Sequence, residues 1–319
     1  IHVLESQKEP DSAFSTVRSP NPEEKDALQL AIAYGEKIGA DLVLGTDPDA
    51  DRVGIAVWNG TEFVLLTGNQ TGALLADYVL SQRELDETAV VIKTIVTSEL
   101  GADIAEAHGA EVMNVLTGFK YIGEKMIGFD KNKDHTFIMG YEESYGYLAG
   151  PYVRDKDAVS TCAIIAEIAA WAADNGKTFF DVLIDLYKEY GFYKEDLLSM
   201  TKKGKSGNEE IKQMMVDYRS NPPKEIAGSK VVCIKDYQLQ TSTNLQTGDV
   251  ESIVLPKSNV LQFFTEDGSK VSVRPSGTEP KIKFYFGVKG ELTNPEDFDA
   301  VNNALDSKIK AIKTSLNLE

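Results

Sequence analysis

The segment from Gly45 to Gly54, GTDPDADRVG, concentrates acidic side chains. Asp47, Asp49 and Asp51 occupy alternate positions, and Arg52 follows directly. Carboxylates this close repel one another and resist burial unless a positive charge lies among them. The spacing therefore predicts a site for a hard divalent cation. We expect Mg²⁺, with a phosphate or water completing its octahedral coordination.

Three other interpretations of this segment differ in the residues they require. An EF-hand that begins at Asp47 would need Gly and Glu at its sixth and twelfth positions, where the sequence has Arg52 and Trp58. A phosphatase of the haloacid-dehalogenase kind would use Asp47 as its nucleophile, but it does not require a third aspartate followed by arginine. A polar turn would use the aspartates to accept backbone N–H bonds. The EF-hand is excluded, and the other two stay open.

A second segment, GYEESYGY at residues 140–147, follows an apolar run that predicts a strand. Glu142 and Ser144 are two residues apart and can present hydrogen-bonding groups on one side, as recognition of sugar hydroxyls requires. A solvated acidic turn is the alternative.

A third segment, RPSGTEPK at residues 274–281, combines one guanidinium, two hydroxyls and a glycine within five residues. Together with backbone N–H groups, these side chains could surround an anion. A Pro/Gly turn with an incidental arginine is the alternative. The candidate phosphate-binding residues are Arg274, Ser276, Gly277, Thr278 and Lys281.

Hydrophobic periodicity alternates along the first part of the chain between buried strands and amphipathic helices. The aspartate segment joins two apolar runs, and strands and helices then follow in turn up to a helix that ends at Tyr190. A Lys/Gly/Ser-rich stretch, TKKGKSG at 201–207, predicts a linker or loop. The later part reads as strands and a hairpin with a helix at each end. These patterns predict an α/β fold, with layered α/β domains and a mixed or mostly parallel sheet, followed by a smaller α+β C-terminal domain.

The composition limits the class of protein. The 319 residues, 42% hydrophobic and 26% charged, predict a globular protein of two or three domains. A net charge of −17 argues against nucleic-acid or anionic-membrane partners. Cys162 lies in an apolar helical pattern and Cys233 in an apolar strand pattern, so we expect two unpaired, buried thiols in a reducing cytoplasm. The chain opens on Ile1 without a methionine, and we expect it to be part of a longer protein.

The three segments together resemble one known family. GTDPDADR resembles the metal-binding loop of the α-D-phosphohexomutases, the phosphoglucomutase and phosphomannomutase superfamily. GYEESYGY resembles the family's sugar-recognition loop, and RPSGTEPKIKFY at 274–285 resembles its phosphate-binding loop. The motifs occur in the family's order across most of the chain. The resemblance implies the latter part of domain two at residues 1–60, domain three at 61–195 and domain four at 196–319.

The resemblance also implies a role for each candidate residue. Mg²⁺ is held by the three aspartates and by a phosphoserine of the family, while Arg52 is catalytic and stabilises the transferring phosphoryl group. Glu142 and Ser144 hold the O3 and O4 hydroxyls of the hexose. The phosphate that is not reacting is bound by the loop at Arg274. Further substrate contacts are implied for Thr117 and Gly118 in the TGFK stretch, and for Lys156.

The implied activity is that of an intramolecular phosphotransferase, which interconverts hexose 1-phosphate and hexose 6-phosphate through a bisphosphate. The expected ligands are glucose 1-phosphate, glucose 6-phosphate and glucose 1,6-bisphosphate. Gly146 stands where some dual-specificity members have histidine, which favours an α-phosphoglucomutase. Phosphomannomutase, phosphoglucosamine mutase and a non-catalytic sugar-phosphate-binding module remain open. The family's serine lies in a loop of the T-A-S-H-N-P type, and no such sequence occurs here, so we expect the chain to be inactive alone.

Overall fold

The computed structural model describes residues 1–202, 204–277 and 279–318. The chain forms two compact units, Ile1–Tyr190 and Gly191–Glu319. The first unit contains two sheets with helices packed on them, and the second contains one antiparallel sheet. Among the described residues, no helix has both the length and the apolar character needed to cross a bilayer.

The first unit begins with a short 3₁₀ turn at Glu5–Gln7, which is followed by α1 (Lys25–Ile38), β1 (Leu42–Thr46), β2 (Val53–Trp58) and β3 (Phe63–Leu66). The three strands form a small antiparallel sheet in the order β1-β2-β3. Leu28 of α1 packs against Val43 and Ala56 of the sheet. Thr46 pairs with Val53, so the aspartate segment forms the loop at the end of the β1–β2 hairpin.

The rest of the first unit consists of α2 (Gly68–Ser81), β4 (Ala89–Thr94), α3 (Leu100–Ala107), β5 (Glu111–Val115), α4 (Phe119–Asn132), β6 (Thr136–Tyr141), β7 (Tyr147–Ala149), α5 (Ala158–Asp174) and α6 (Phe179–Tyr190). Its four strands form a second sheet in the order β5-β4-β6-β7. Strand β4 pairs in parallel with β5 and β6, whereas β7 runs antiparallel to β6, so the prediction of a mixed, mostly parallel sheet is confirmed. Strand β4 is buried along its whole length, and its first four residues, 89–92, are apolar, as expected of a parallel strand covered on both faces.

The second unit is the α+β domain that the sequence predicts. Its elements are β8 (Phe192–Thr201), α7 (Gly204–Ser220), β9 (Glu225–Ile226), β10 (Ser229–Asp236), β11 (Thr241–Asn244), β12 (Val250–Ser252), β13 (Leu261–Thr265), β14 (Lys270–Pro275), β15 (Lys281–Gly290), a 3₁₀ turn (Pro295–Asp297) and α8 (Phe298–Ser315). The strands follow the order β12-β11-β10-β13-β14-β15-β8, and β9 pairs with β10. Phe192 of β8 stacks on Phe298 of α8 at 5.1 Å between ring centroids.

The structure corrects the predicted linker at residues 201–207. Strand β8 extends to Thr201 and helix α7 begins at Gly204. Ile211 and Met215 of this helix are buried, so tertiary packing overrides the local Lys/Gly/Ser composition. The thiols of Cys162 and Cys233 are free, as predicted, but both residues are partly buried and not fully buried as expected.

Candidate functional site

The aspartate loop is folded by hydrogen bonds to its own first carboxylate. Asp47 Oδ1 accepts the backbone N–H groups of Asp51 and Arg52, both at 3.0 Å. The N–H of Ala50 donates to the Asp47 carbonyl at 3.1 Å, and Ala50 has φ +56°. The turn brings one oxygen from each of Asp47, Asp49 and Asp51 within 4.8 Å of one another.

The three convergent carboxylates fit a hard divalent cation. Burial raises the pKa of Asp47, and the Asp51 carboxylate adds to this effect, whereas the backbone donors from Arg52 and Asp51 oppose it. A cation among the three carboxylates would neutralise this repulsion. Oxygen donors of this kind are those that Mg²⁺ prefers, and three of them leave octahedral positions for other ligands.

Two cationic side chains flank the acidic loop. Arg52 Nε lies 3.8 Å from Asp51 Oδ1 and 4.0 Å from Asp47 Oδ2. Lys156 Nζ lies 2.9 Å from Asp51 Oδ2 and 2.9 Å from Asp155 Oδ1. Burial acts to lower the pKa of Lys156, but the bonds to Asp155 and Asp51 outweigh it and the pKa is raised. The ammonium therefore stays charged beside the loop.

The aspartate loop is joined directly to the turn between β6 and β7, which contains Glu142 and Ser144. The N–H of Val53 donates to the Tyr145 carbonyl at 3.1 Å, and Arg52 forms an antiparallel bridge with Gly146. The N–H of Ala158 donates to the Ala50 carbonyl at 3.1 Å. Two segments that are about ninety residues apart in the sequence thus form one surface.

Glu142 is buried and is bonded to the start of helix α4. Its Oε1 accepts the Gly118 N–H at 2.9 Å, so this amide is engaged by a carboxylate of the protein. Burial raises the pKa of Glu142 and Glu143 adds to the rise, while the Gly118 N–H, Lys156 and Arg52 oppose it. Thr117 precedes this amide and is half-buried, as is Ser144 in the turn.

The sequence analysis missed acidic residues that support the site. Glu143 Oε2 accepts from the hydroxyls of Thr94 and Thr97 at 3.0 and 3.3 Å, which fixes the turn to the end of β4. Glu23 Oε1 lies 3.1 Å from Arg52 Nη1, and Asp155 pairs with Lys156. Glu143 and Asp155 each adjoin a candidate residue in the sequence, but only the fold identifies their partners.

The loop of the second unit is held by its own backbone. The N–H of Ser276 donates to the Lys281 carbonyl at 2.7 Å, and the N–H of Glu279 donates to Ser276 Oγ at 3.3 Å. Lys281 Nζ lies 3.3 Å from Glu279 Oε2. Arg274, at the end of β14, pairs in register with Lys283 of β15. Gly277 is exposed, and Thr278 lies outside the described residues.

Three domain models of one protein family match the chain. Phosphoglucomutase/phosphomannomutase, alpha/beta/alpha domain II matches residues 1–60. Alpha/beta/alpha domain III of the same family matches residues 67–190, and its C-terminal domain matches residues 210–305.

Individual relatives agree with these matches. A phosphoglucomutase of Staphylococcus epidermidis is 38% identical over 310 residues, which are 97% of this chain and 55% of that protein. A phosphoglucomutase of Staphylococcus aureus is 39% identical over the same shares. The chain thus spans about half the length of the curated relatives it matches.

Solved structures share the fold. A putative phosphomannomutase from Thermus thermophilus superposes with a TM-score of 0.63 at 19% identity, covering 97% of this chain and 52% of that one. The open form of the Paramecium phosphoglucomutase parafusin gives 0.62 at 17% identity, covering 95% and 51%.

Proposed function

Because the chain belongs to the phosphoglucomutase/phosphomannomutase family, we propose that it carries the metal-binding, sugar-binding and phosphate-binding segments of a phosphohexomutase. The proposed reaction interconverts hexose 1-phosphate and hexose 6-phosphate through a bisphosphate, with glucose as the preferred sugar. The proposed domains are residues 1–60, 61–195 and 196–319, and the proposed compartment is the cytoplasm.

The observation that carries this proposal is the junction of the acidic loop with the Glu142 turn. Phosphoryl transfer needs positive charge at the phosphoryl group and a group that positions the sugar, and it needs both at one place. The bridge between Arg52 and Gly146 provides this proximity.

Mg²⁺ bound by Asp47, Asp49 and Asp51 would supply a Lewis acid that neutralises charge on the phosphoryl group. Arg52 would donate N–H bonds to the phosphoryl oxygens and stabilise the charge that develops on them. Lys156, which stays protonated, would attract the anionic ligand to the same surface.

Glu142 and Ser144 would orient the hexose. A buried carboxylate accepts hydrogen bonds from sugar hydroxyls, and the hydroxyl of Ser144 can both donate and accept. The bond from the Gly118 N–H fixes the Glu142 carboxylate, so the TGFK stretch supports sugar binding through Glu142. We also propose direct substrate contacts for Thr117 and Gly118.

The loop of the second unit would hold the phosphate that is not reacting. Arg274 offers a bidentate guanidinium, and Ser276 and Lys281 add a hydroxyl and an ammonium. We extend the proposal to Gly277 and Thr278 as phosphate-binding residues because of their positions in the motif.

Catalysis in this family requires a phosphorylated serine, and we propose that the 319-residue chain alone turns over no sugar phosphate. The experiment is an assay of glucose 1-phosphate conversion to glucose 6-phosphate, with and without Mg²⁺, for the chain and for a full-length protein that includes a serine loop. Mg²⁺-dependent conversion only by the full-length protein supports the proposal.

The same assay separates the alternatives. Phosphate release by the chain, abolished in Asp47→Asn, would identify a phosphatase instead. Conversion of mannose or glucosamine phosphates in preference to glucose 1-phosphate would correct the proposed sugar. Ligand binding by a full-length protein that converts no hexose phosphate would identify a binding module.

A further inference from the structure

Of the acidic side chains that the structure describes, Glu23 lies closest to the Arg52 guanidinium. Its Oε1 lies 3.1 Å from Arg52 Nη1, whereas the contacts of Arg52 Nε with Asp51 and Asp47 are 3.8 and 4.0 Å. Glu23 precedes helix α1 and belongs to none of the three motifs. The guanidinium therefore has Glu23 at one end and the acidic loop at the other.

The backbone around Glu23 is held firmly in place. Asn21 Oδ1 accepts the Glu23 N–H at 3.1 Å, and the Asn21 carbonyl accepts the Glu24 N–H at 2.9 Å. Pro22 is buried against Gly54, where an added Cβ would come within 2.7 Å of the Pro22 carbonyl oxygen. Since Glu23 follows Pro22 and Gly54 is two residues from Arg52, this close packing holds the backbones of Glu23 and Arg52 near each other.

The negative charge of Glu23 also influences Tyr145, which lies in the Glu142 turn. Burial raises the pKa of Tyr145 to about 12, and the negative charge of Glu23 contributes to that rise. The backbone carbonyl of Tyr145 accepts a hydrogen bond from the Val53 N–H. Glu23 thus lies where the acidic loop and the turn meet.

We propose that Glu23 is a positioning residue for Arg52, which holds the guanidinium by Nη1 and so keeps it from closing onto Asp47 and Asp51. A guanidinium that lost this partner would move toward the nearest remaining carboxylates, because an unpaired cation at a half-exposed site gains most from the closest anions. It would then compete with a divalent cation for the same oxygens. This inference rests on the proposed role of the acidic loop as a metal site.

The first test observes Arg52 directly, without metal. In the ¹⁵N-labelled 319-residue chain, we expect the Arg52 Nη protons, assigned through Arg52→Lys, to be resolved because the ion pair slows rotation of the guanidinium. Glu23→Gln should shift these resonances, because the guanidinium then pairs with Asp51 and Asp47 instead. Glu24→Gln is the matched control, since Glu24 is the adjacent carboxylate and pairs with Arg18 at 3.3 Å. An Arg52 signal that Glu23→Gln leaves unchanged would overturn the proposal.

The second test is a double-mutant cycle on Mn²⁺ affinity, measured by electron paramagnetic resonance. Glu23→Gln should weaken Mn²⁺ binding about threefold to tenfold, the effect expected of residues in direct contact. In an Arg52→Gln background, the same change should have almost no effect. An equal loss in both backgrounds would show that Glu23 acts only as a distant charge and would overturn the proposal.

The two tests separate this inference from the proposed function. A chain that binds no Mn²⁺ would contradict the metal site at the acidic loop. The Arg52 signal would still decide whether Glu23 positions the guanidinium. Equal melting temperatures of Glu23→Gln and Glu24→Gln would exclude a general loss of folding as the cause.

Discussion

Glu142 is a carboxylate whose burial opposes its charge. Because its pKa is raised in the folded chain, ionisation above the unfolded pKa reduces stability. The contribution of the protonated group is therefore fully present below the unfolded pKa and is lost as the pH rises through the folded pKa. Ionisation of the Glu142 carboxyl thus occurs at the expense of stability, as is common for residues in binding sites.

We predict that Glu142→Gln changes stability little near pH 4 and increases it relative to the parent chain at pH 7.5. Glutamine keeps an oxygen that can accept the Gly118 N–H and has no charge to desolvate. Urea unfolding at the two pH values measures this difference. A variant that is less stable at pH 7.5 than at pH 4, each relative to the parent, would contradict the assignment.

Gly146 has a structural reason to be glycine. A Cβ at this position would lie 2.2 Å from Lys156 Cδ. The aliphatic part of Lys156 thus crosses the Glu142 turn at Gly146, and its Nζ reaches Asp51 Oδ2.

We predict that Gly146→Ala displaces Lys156 from Asp51 and lowers the free energy of unfolding by about 1 to 3 kcal/mol, as overpacking does. Gly128→Ala is the control, because an added Cβ there meets no heavy atom within 4 Å and alanine favours helix α4. The control should gain about 0.5 to 1 kcal/mol. Denaturant titration of both variants provides the measurement, and an undiminished stability of Gly146→Ala would refute the contact.

At the scale of elements, the site depends on how the β1–β2 hairpin and the β6–β7 turn are supported. Backbone bonds join the two segments, and the hydroxyls of Thr94 and Thr97 tie the turn to the carboxyl end of β4. The carboxyl ends of parallel strands are common places for binding sites in α/β folds.

We predict that Thr94→Val combined with Thr97→Val makes the amides of residues 142–146 exchange faster with solvent. The Glu143 carboxylate loses two donors, with a loss of about 1 kcal/mol or more. Hydrogen exchange followed by mass spectrometry measures the change. Thr243→Val in β11 serves as the control. Equal protection of residues 142–146 in the double variant and in this control would contradict the claim that Thr94 and Thr97 stabilise the turn.

The sequence predicts elements well where burial leaves a clear pattern. The first four residues of the parallel strand β4 are all apolar, and the helix Phe179–Tyr190 ends at the predicted residue. Strand β8 was missed because its sequence, FYKEDLLSMT, mixes apolar and polar residues without a period of two. Helix α1 begins at Lys25, and Asn21, four residues earlier, accepts the Glu23 N–H and supports the turn that precedes the helix.

The proximity of the three aspartates could be predicted from the sequence, whereas their role as metal ligands stays a prediction. The motifs identify Asp47, Asp49 and Asp51, and the structure brings their oxygens together. The contacts of Glu23 and Lys156 with this loop join residues far apart in the sequence. No local spacing encodes such contacts, since they depend on how the hairpin packs against the turn.

At the scale of the whole molecule, the acidic loop, the Glu142 turn, Lys156 and Glu23 all belong to the first compact unit. The candidate phosphate loop belongs to the second. A compact unit with its own core can fold alone. Metal binding should therefore be a property of the first unit.

We predict that a chain of residues 1–190 binds Mn²⁺ with the same dissociation constant as the 319-residue chain. Raised ionic strength should weaken binding by both chains, because the overall negative charge attracts the cation. Electron paramagnetic resonance titrations at two salt concentrations compare the chains. Loss of binding by a folded 1–190 chain would show that the second unit supplies a ligand.

The central claim is that Asp47, Asp49 and Asp51 together hold a divalent cation beside the Glu142 turn. Anomalous diffraction from crystals of the 319-residue chain soaked in Mn²⁺ tests it most directly. The expected result is a single strong peak about 2.0 to 2.4 Å from an oxygen of each aspartate, within the range of oxygen ligands to such ions. A saturating soak that leaves these three carboxylates without a peak, while Mn²⁺ binds elsewhere on the chain, would contradict the claim.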